Sequence, residues 1–339
     1  MLDLLEKLIS TFGVSGNEEN IRNLIKEEIR KYVDDIYIDK LGNLVAHKHG
    51  KRPKIMLAAH MDEIGLMIKT IDSRGKIYFS TIGAIDTVML IGERVHVETK
   101  KRIIHGVITT KEINNGLYLS QIPKADELFV DTGLSKEELV KMGLEVGSYL
   151  SLERDLYSLG SEKIICGKAF DDRIGCYILI ELAKKLKNAN NEIYYVFTIQ
   201  EEIGLAGAMT SAYIVEPDWA IGVDVADAED ASEEMLKTIG GGPCITIKDA
   251  ETISNKTLNK WLENTAKKLK MKIQLDVSDL GTTDAAAISI TRGGIPCTVV
   301  CVPVRNLHTA TAVAHKDDIE NTIKLLTELL KNPPDTYLR

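Results

Sequence analysis

Residues 193–199, IYYVFTI, are apolar except for one threonine and rich in β-branched and aromatic side chains. A strand that is apolar on both faces must be covered on both, so the run predicts the interior of a sheet with helices above and below. It ends in Gln200 and two adjacent carboxylates, Glu201 and Glu202, with Gly204 close behind. A buried strand that delivers two negative charges to its tip needs a chemical reason.

The surrounding chain repeats the theme. Helical periodicity predicts a helix over 2–11 and a second in SGNEENIRNLIKEEIRKYV, where Ser15 or Asn17 can cap and two glutamates fill the first turn. A hairpin with Leu41, Gly42 and Asn43 in its turn comes next, then a strand, KIMLAAHMDEIG. Beyond 161, strands and helices alternate: a helix over 172–187, the opening strand, a strand WAIGVDVA, a helix over 255–269, strands at 272–277 and 297–304, and a last helix over 316–331. Such alternation predicts an α/β fold with a mixed, mostly parallel sheet flanked by helices. Residues 68–161 break the pattern with short strands between closely spaced turns, which predicts a small β barrel or sandwich. The expected organisation is therefore an α/β domain over 1–67 and 162–339, with a β domain of 68–161 inserted into it. Exposed strand edges on that insertion would invite pairing with another chain.

Composition narrows the classes of function. With 27% charged residues and a net charge of −8, the chain lacks the basic excess that phosphate binding requires, which argues against nucleic acid. No apolar run reaches the ~18 residues of a membrane span, and MLDLLEKLISTFGVSG reads as an amphipathic helix start rather than a signal peptide. The five cysteines are scattered, which predicts reduced, buried thiols and a cytoplasmic location. Cys297 and Cys301 have zinc-finger spacing, but CTVVCVPV is a strand and no second pair completes a site.

In open α/β sheets, function gathers at the carboxyl ends of strands. Here those ends carry His60 with Asp62, Asp171 with Asp172, Glu201 with Glu202, Asp224, and His308. Taken singly these have ordinary explanations: a surface histidine, a solvated glutamate pair, or Asp172 as a helix cap. Together they place so many carboxylates in one region that like-charge repulsion would cost several kcal/mol without cations. Imidazoles and carboxylates without thiolates suit Zn²⁺, Co²⁺ or Mn²⁺. His47, His49, His96, His105 and His315 lie outside this pattern and read as surface or structural residues.

HMDEIG, AFDDRIG, QEEIG, VDVA and RNLHT, in that order, resemble the metal motifs of metallopeptidase clan MH. The inserted β segment and GTTDAAAI narrow the resemblance to the family-42 dinuclear metal aminopeptidases, which include TET, glutamyl and deblocking types, and it runs from about residue 3 to 331. The resemblance implies two divalent ions per subunit. His60 and Asp224 would ligate the first, Glu202 and His308 the second, and Asp171 would bridge both. It implies Glu201 as general base acting on a water shared by the metals, Asp62 as the carboxylate that orients His60, and a cis peptide bond at Asp171–Asp172. Peptides would be the substrates, cleaved at their N-termini, and dimers would assemble into a tetrahedral dodecamer. TTKEINNGLYLSQIP, GTTD at 281–284 and TATAVAH after His308 depart from the family's usual sequences and leave substrate preference open. Two other readings compete. An endoglucanase-type glycoside hydrolase would use paired carboxylates, but it leaves His60 and His308 idle. A catalytically silent metal-binding scaffold would have no use for Glu201.

Overall fold

The computed structural model describes residues 2–99, 102–231, 237–331 and 333. Its strands, in chain order, begin with β1 (Asp35–Ile38), β2 (Leu44–Lys48) and β3 (Lys51–His60). Six more follow: β4 (Gly65–Ile71), β5 (Ile77–Ile82), β6 (Arg94–Glu98), β7 (Ile103–Thr110), β8 (Leu128–Asp131) and β9 (Tyr149–Leu152). The last eight are β10 (Tyr157–Ser158), β11 (Ile164–Gly167), β12 (Asn191–Thr198), β13 (Trp219–Asp227), β14 (Cys244–Lys248), β15 (Gln274–Val277), β16 (Cys297–Arg305) and β17 (Ala312–His315).

An 11-stranded mixed sheet runs β1-β2-β12-β3-β13-β16-β17-β11-β10, with β14 and β15 branching from β16. Its centre, β12-β3-β13-β16, is parallel, whereas β2 and β17 pair antiparallel on either side. The run that opened the sequence reading is β12, in the parallel centre, with Ile193, Tyr195, Val196 and Phe197 fully buried. Helices Leu2–Ser10, Glu19–Ile29, Phe170–Lys185 and Lys316–Lys331 bury apolar stripes in one large core. Ala206–Val215 and Asp284–Ser289 contribute to a second, smaller one. The helix over Lys256–Leu269 starts where its sequence predicts: the Asn255 side chain accepts from the backbone N–H of Thr257 and Leu258.

Strands β4 to β9 close into a six-stranded antiparallel barrel with its own core of Leu66, Phe79, Val95, Val97, Ile108, Val130 and Leu150. The first barrel strand starts at Gly65. Closure corrects one expectation: a closed barrel has no free edge, so strand-edge pairing is no reason for this insertion to bind another chain. All five cysteines are buried and unpaired, and Cys297 and Cys301 lie on β16. Among the described residues no helix is long and apolar enough to cross a membrane. Residues 1 and 334–339, which the sequence reading assigns to the α/β domain, lie outside the described residues.

Because β12, β3, β13 and β16 are parallel, their carboxyl ends share one edge. Register fixes the spacing there: Thr198 lies opposite His60, and Asp224 opposite Cys301.

Candidate dinuclear metal centre

One cleft of about 940 Å³ opens at that edge and is lined by His60, Asp171, Glu201, Glu202, Asp224 and His308. These are the six cleft residues that the sequence reading singled out, drawn from five segments of chain. Asp62 lies directly beneath them, fully buried.

Asp171 is the hub. Its Oδ1 lies 2.7 Å from His60 Nε2 and its Oδ2 3.2 Å from His308 Nε2. Each oxygen of one carboxylate therefore faces a different imidazole. The two glutamates diverge in the same way: Glu202 Oε2 approaches His308 Nε2 at 3.5 Å, and Glu201 Oε2 approaches His60 Nε2 at 4.0 Å. One ligand atom each from His60, Asp171 and Glu202 lies within 4.8 Å of the others, and so does one each from the fully buried set His60, Asp172 and Asp224. The Asp171–Asp172 peptide bond is cis.

Asp62 organises the floor. Its Oδ1 accepts from the Glu201 N–H at 3.1 Å and lies 3.5 Å from His60 Nδ1. Its Oδ2 accepts from the Glu202 N–H at 3.2 Å and from the Ser15 hydroxyl. One carboxylate thus fixes the tip of β12 and faces the His60 imidazole. Asn43 braces the strand from the other side, its side-chain oxygen accepting from the Ile199 N–H at 3.0 Å. The chain turns sharply at several of these points: Ala169, Gln200, Leu205, Asn306 and His308 all have positive φ between 51° and 58°. For residues with a Cβ that conformation costs about 1–2 kcal/mol each, and it collects here, beside Asp171, Glu201, Glu202 and His308.

The electrostatics are those of carboxylates crowded out of water. Burial, with Asp171 adding, pushes Glu202 up to about 8 and Asp224 up to about 7. Burial also drives Glu201 and Asp172 well above the ordinary carboxylate range, and the Asp224 charge adds to both. Burial would lower the two imidazoles, but their acidic neighbours win: Glu201, Asp171 and Asp62 hold His60 well above its usual value, while Asp171 and Glu202 raise His308 to about 9. Burial opposes ionisation of Asp171 too, yet the His308 and His60 hydrogen bonds keep it below the usual range. Bound divalent cations would favour ionised carboxylates and neutral imidazoles. The donor set fits such ions. Glu202 Oε1, Asp172 Oδ2 and Asp284 Oδ1 are buried without a hydrogen-bond partner among the described residues, as is His60 Nδ1; oxygen and imidazole donors suit Zn²⁺, Co²⁺ and Mn²⁺.

Part of this site is not legible in the sequence. Asp172 has the position of a helix cap, and its Oδ1 does accept from the Gly175 N–H at 2.9 Å. Its other oxygen faces the cluster. A side chain at Gly175 would collide with that carboxylate and with the Val223 carbonyl, so only glycine fits beside it. Asp284 went without a role. It is buried at the start of its helix, accepts from the Thr198 hydroxyl at 2.5 Å, and is pushed up to about 6 by burial. Its place in GTTDAAAI was the only signal available. Ser15 and Asn43 carried none, because both act through contacts with distant segments.

The profile of the M42 glutamyl aminopeptidase family matches residues 42–325. The chain belongs to that family. It is 41% identical over 333 residues to a putative aminopeptidase of Acetivibrio thermocellus, covering 97% of this chain and 98% of the relative. Aminopeptidase APDkam598 from Desulfurococcus kamchatkensis superposes with a TM-score of 0.95 at 35% identity, covering 100% of this chain and 96% of that one. The TET1 peptidase of Pyrococcus horikoshii, which assembles into a tetrahedron or a large octahedral shell, superposes with a TM-score of 0.87 at 30% identity, covering 97% and 98%. This M42 chain is therefore a hydrolase that acts on peptide bonds, and membership implies the use of divalent metal.

Proposed function

We propose that this M42 chain is a dinuclear metal aminopeptidase that releases N-terminal residues from peptides. The observation that carries the reading is Asp171, whose two oxygens face two different imidazoles. His60, Asp171 and Asp224 would hold one ion, and Asp171, Glu202 and His308 the other, with Zn²⁺, Co²⁺ or Mn²⁺ as candidates. When bound, the pair supplies Lewis-acid polarisation of the scissile carbonyl and a more acidic water. Glu201 then acts as general base: it reaches the cleft without hydrogen-bonding either imidazole, accepts a proton from the attacking water and returns it to the leaving amine. Asp62 positions His60 and the backbone of both glutamates without touching substrate.

Hydrolysis of aminoacyl-nitroanilides by chelator-treated protein, with Co²⁺, Zn²⁺ or Mn²⁺ added back, tests this. We expect negligible activity after chelation, recovery with metal, and no cleavage of substrates with a blocked α-amine. Nitroanilide hydrolysis that survives chelation would overturn the metal mechanism, cleavage of a β-glucan that chelator does not stop would point instead to the paired-carboxylate glycosidase reading, and metal-loaded protein without hydrolytic activity would point to a silent scaffold.

We also propose that residues 68–161 form an assembly domain and that dimers build a twelve-subunit particle. With no barrel edge to pair, the support is exposed apolar surface. Leu117, Tyr118 and Ile122 stand out between β7 and β8, Tyr118 almost fully exposed. A second apolar groove of about 890 Å³, lined by Tyr37, Ile38, Leu41, Met209, Tyr213 and Ile214, lies on the α/β part. Apolar patches of this kind mark interfaces. Light scattering is expected to show a species near twelve times 37.5 kDa, or dimers at low metal. A fully active monomer would overturn the assembly.

A further inference from the structure

A second group of metal-type side chains stands on the outer wall of the barrel, contributed by strands that carry nothing into the cleft described above. His96 on β6 and His105 on β7 are directly opposed in the antiparallel register. Glu153 directly follows β9, which pairs with β6 on its other side and sets Ser151 opposite His96. Three adjacent strands thus send two imidazoles and a carboxylate to one spot. His105 Nδ1 lies 2.8 Å from Glu153 Oε2, and His96 Nε2 lies 3.4 Å from the same oxygen. One ligand atom from each of the three lies within 4.8 Å of the others.

We propose that His96, His105 and Glu153 form a third divalent-metal site, selective for a borderline ion such as Zn²⁺, that ties β6, β7 and β9 together.

Zinc bonds nitrogen and oxygen at about 2.0–2.2 Å, so donors at the corners of a tetrahedron lie about 3.3–3.6 Å apart. The His96–Glu153 separation of 3.4 Å already meets this, and the His105–Glu153 separation of 2.8 Å needs to open by only a few tenths of an ångström. Two imidazoles and one carboxylate are a recurrent zinc donor set, with the fourth position left to water.

Arg94 holds the other carboxylate oxygen of Glu153 at 3.0 Å, leaving Oε2 to face the two rings. Hydrogen-bonded support of a ligating carboxylate is usual around metal sites. The ligands sit on paired strands rather than on a mobile loop, so the β6–β7 and β6–β9 ladders preset their spacing. His96 is half-buried, and burial, with help from His105 and Lys168, lowers its affinity for protons despite the pull of Glu153. A neutral imidazole is the form that binds metal. The competing reading is a hydrogen-bonded His–Glu–His cluster that holds protons and no ion.

The site does not depend on the dinuclear reading, and its test can be separated from catalysis. Protein stripped with chelator, loaded with micromolar Zn²⁺ and desalted is assayed for bound zinc by mass spectrometry. Wild type is expected to retain one equivalent per subunit more than His105→Ala or Glu153→Gln, while the variants keep wild-type peptidase activity. His105 is 63% exposed, so its replacement leaves the barrel core intact. Zinc is also expected to raise the melting temperature of the Asp171→Ala protein, which lacks the carboxylate assigned to both cleft ions, by more than it raises that of the same protein carrying His105→Ala as well. Equal zinc content in wild type and the two barrel variants, or equal zinc-induced shifts in the presence and absence of His105, would overturn the site.

Discussion

Replacing Glu201 with glutamine is expected to lower kcat by about 10²–10⁴-fold, the usual cost of a lost general base, while metal content stays at two ions per cleft. The substitution keeps the size of the side chain and its hydrogen-bonding capacity but removes the proton acceptor. The backbone anchor survives, because Asp62 holds the Glu201 N–H and not its carboxylate. Glu202→Gln is expected to behave differently. Its carboxylate faces His308 and Asp171 and belongs to a set of clustered ligand atoms. The variant should lose one ion and recover part of its activity in excess metal. Parallel kinetics and metal analysis of both variants separate the roles. If Glu201→Gln loses an ion and Glu202→Gln keeps both, the assignments are reversed.

Glu63→Gln is expected to destabilise the chain by about 3–5 kcal/mol, the cost of removing one partner from a buried ion pair. Glu63 lies within the HMDEIG motif but points away from the cleft. Its Oε2 accepts from Lys168 Nζ at 2.5 Å, and its Oε1 lies 3.5 Å from Arg173 and 3.3 Å from Ser151 Oγ. All four residues are buried. Arg173 also donates to the Leu8 and Thr11 carbonyls, which ties the first helix to the helix that carries Asp171. With Glu63 neutral, two buried cations would face each other without an anion. Burial and Arg173 already lower the proton affinity of Lys168, and Glu63 is what opposes them. Adding Lys168→Met should recover part of the loss by removing one of those cations. A Glu63→Gln protein that melts with wild type, or no recovery in the double variant, would show that the network is not needed for stability.

Glu63 marks where the sequence stopped being informative. Flanked by Asp62 and Ile64, it has the composition of a site residue, and nothing in the motif says that it turns toward Lys168 while Asp62 turns toward His60. Side chains next to one another on an extended segment diverge, but which one meets the site is decided by the segments packed against it.

The order of elements and the identity of the cleft residues could be read from the chain because they rest on local signals. Unbroken apolar runs marked β3, β12, β13 and β16 as central strands, and their parallel connection by helices forces their carboxyl ends to one edge. That rule alone gathers His60, Glu201, Asp224 and His308; Asp171 joins them from the end of β11, which reaches the same edge through two antiparallel pairings with β17 and β16. Motif order, which carries the resemblance to the family, supplied their expected division between two ions. Asp172 shows the limit: its capping bond to Gly175 is local and was legible, whereas its approach to Asp224 depends on the packing of a helix against β13.

Only the tertiary structure decided the rest. Whether the inserted strands form an open or a closed sheet depends on the pairing of β4 with β9, over 70 residues away in the chain, and closure removed the edges that the sequence led one to expect. The grouping of His96, His105 and Glu153 depends on barrel register, which sets residues nine and 57 positions apart on one face of the wall. Hydrophobic pattern says which face of a strand is buried; it does not say which strands will be neighbours. Contacts between distant segments lie beyond any local periodicity, and here those contacts orient the Asp62 carboxylate, bury Glu63 with its cations and draw the three barrel ligands together.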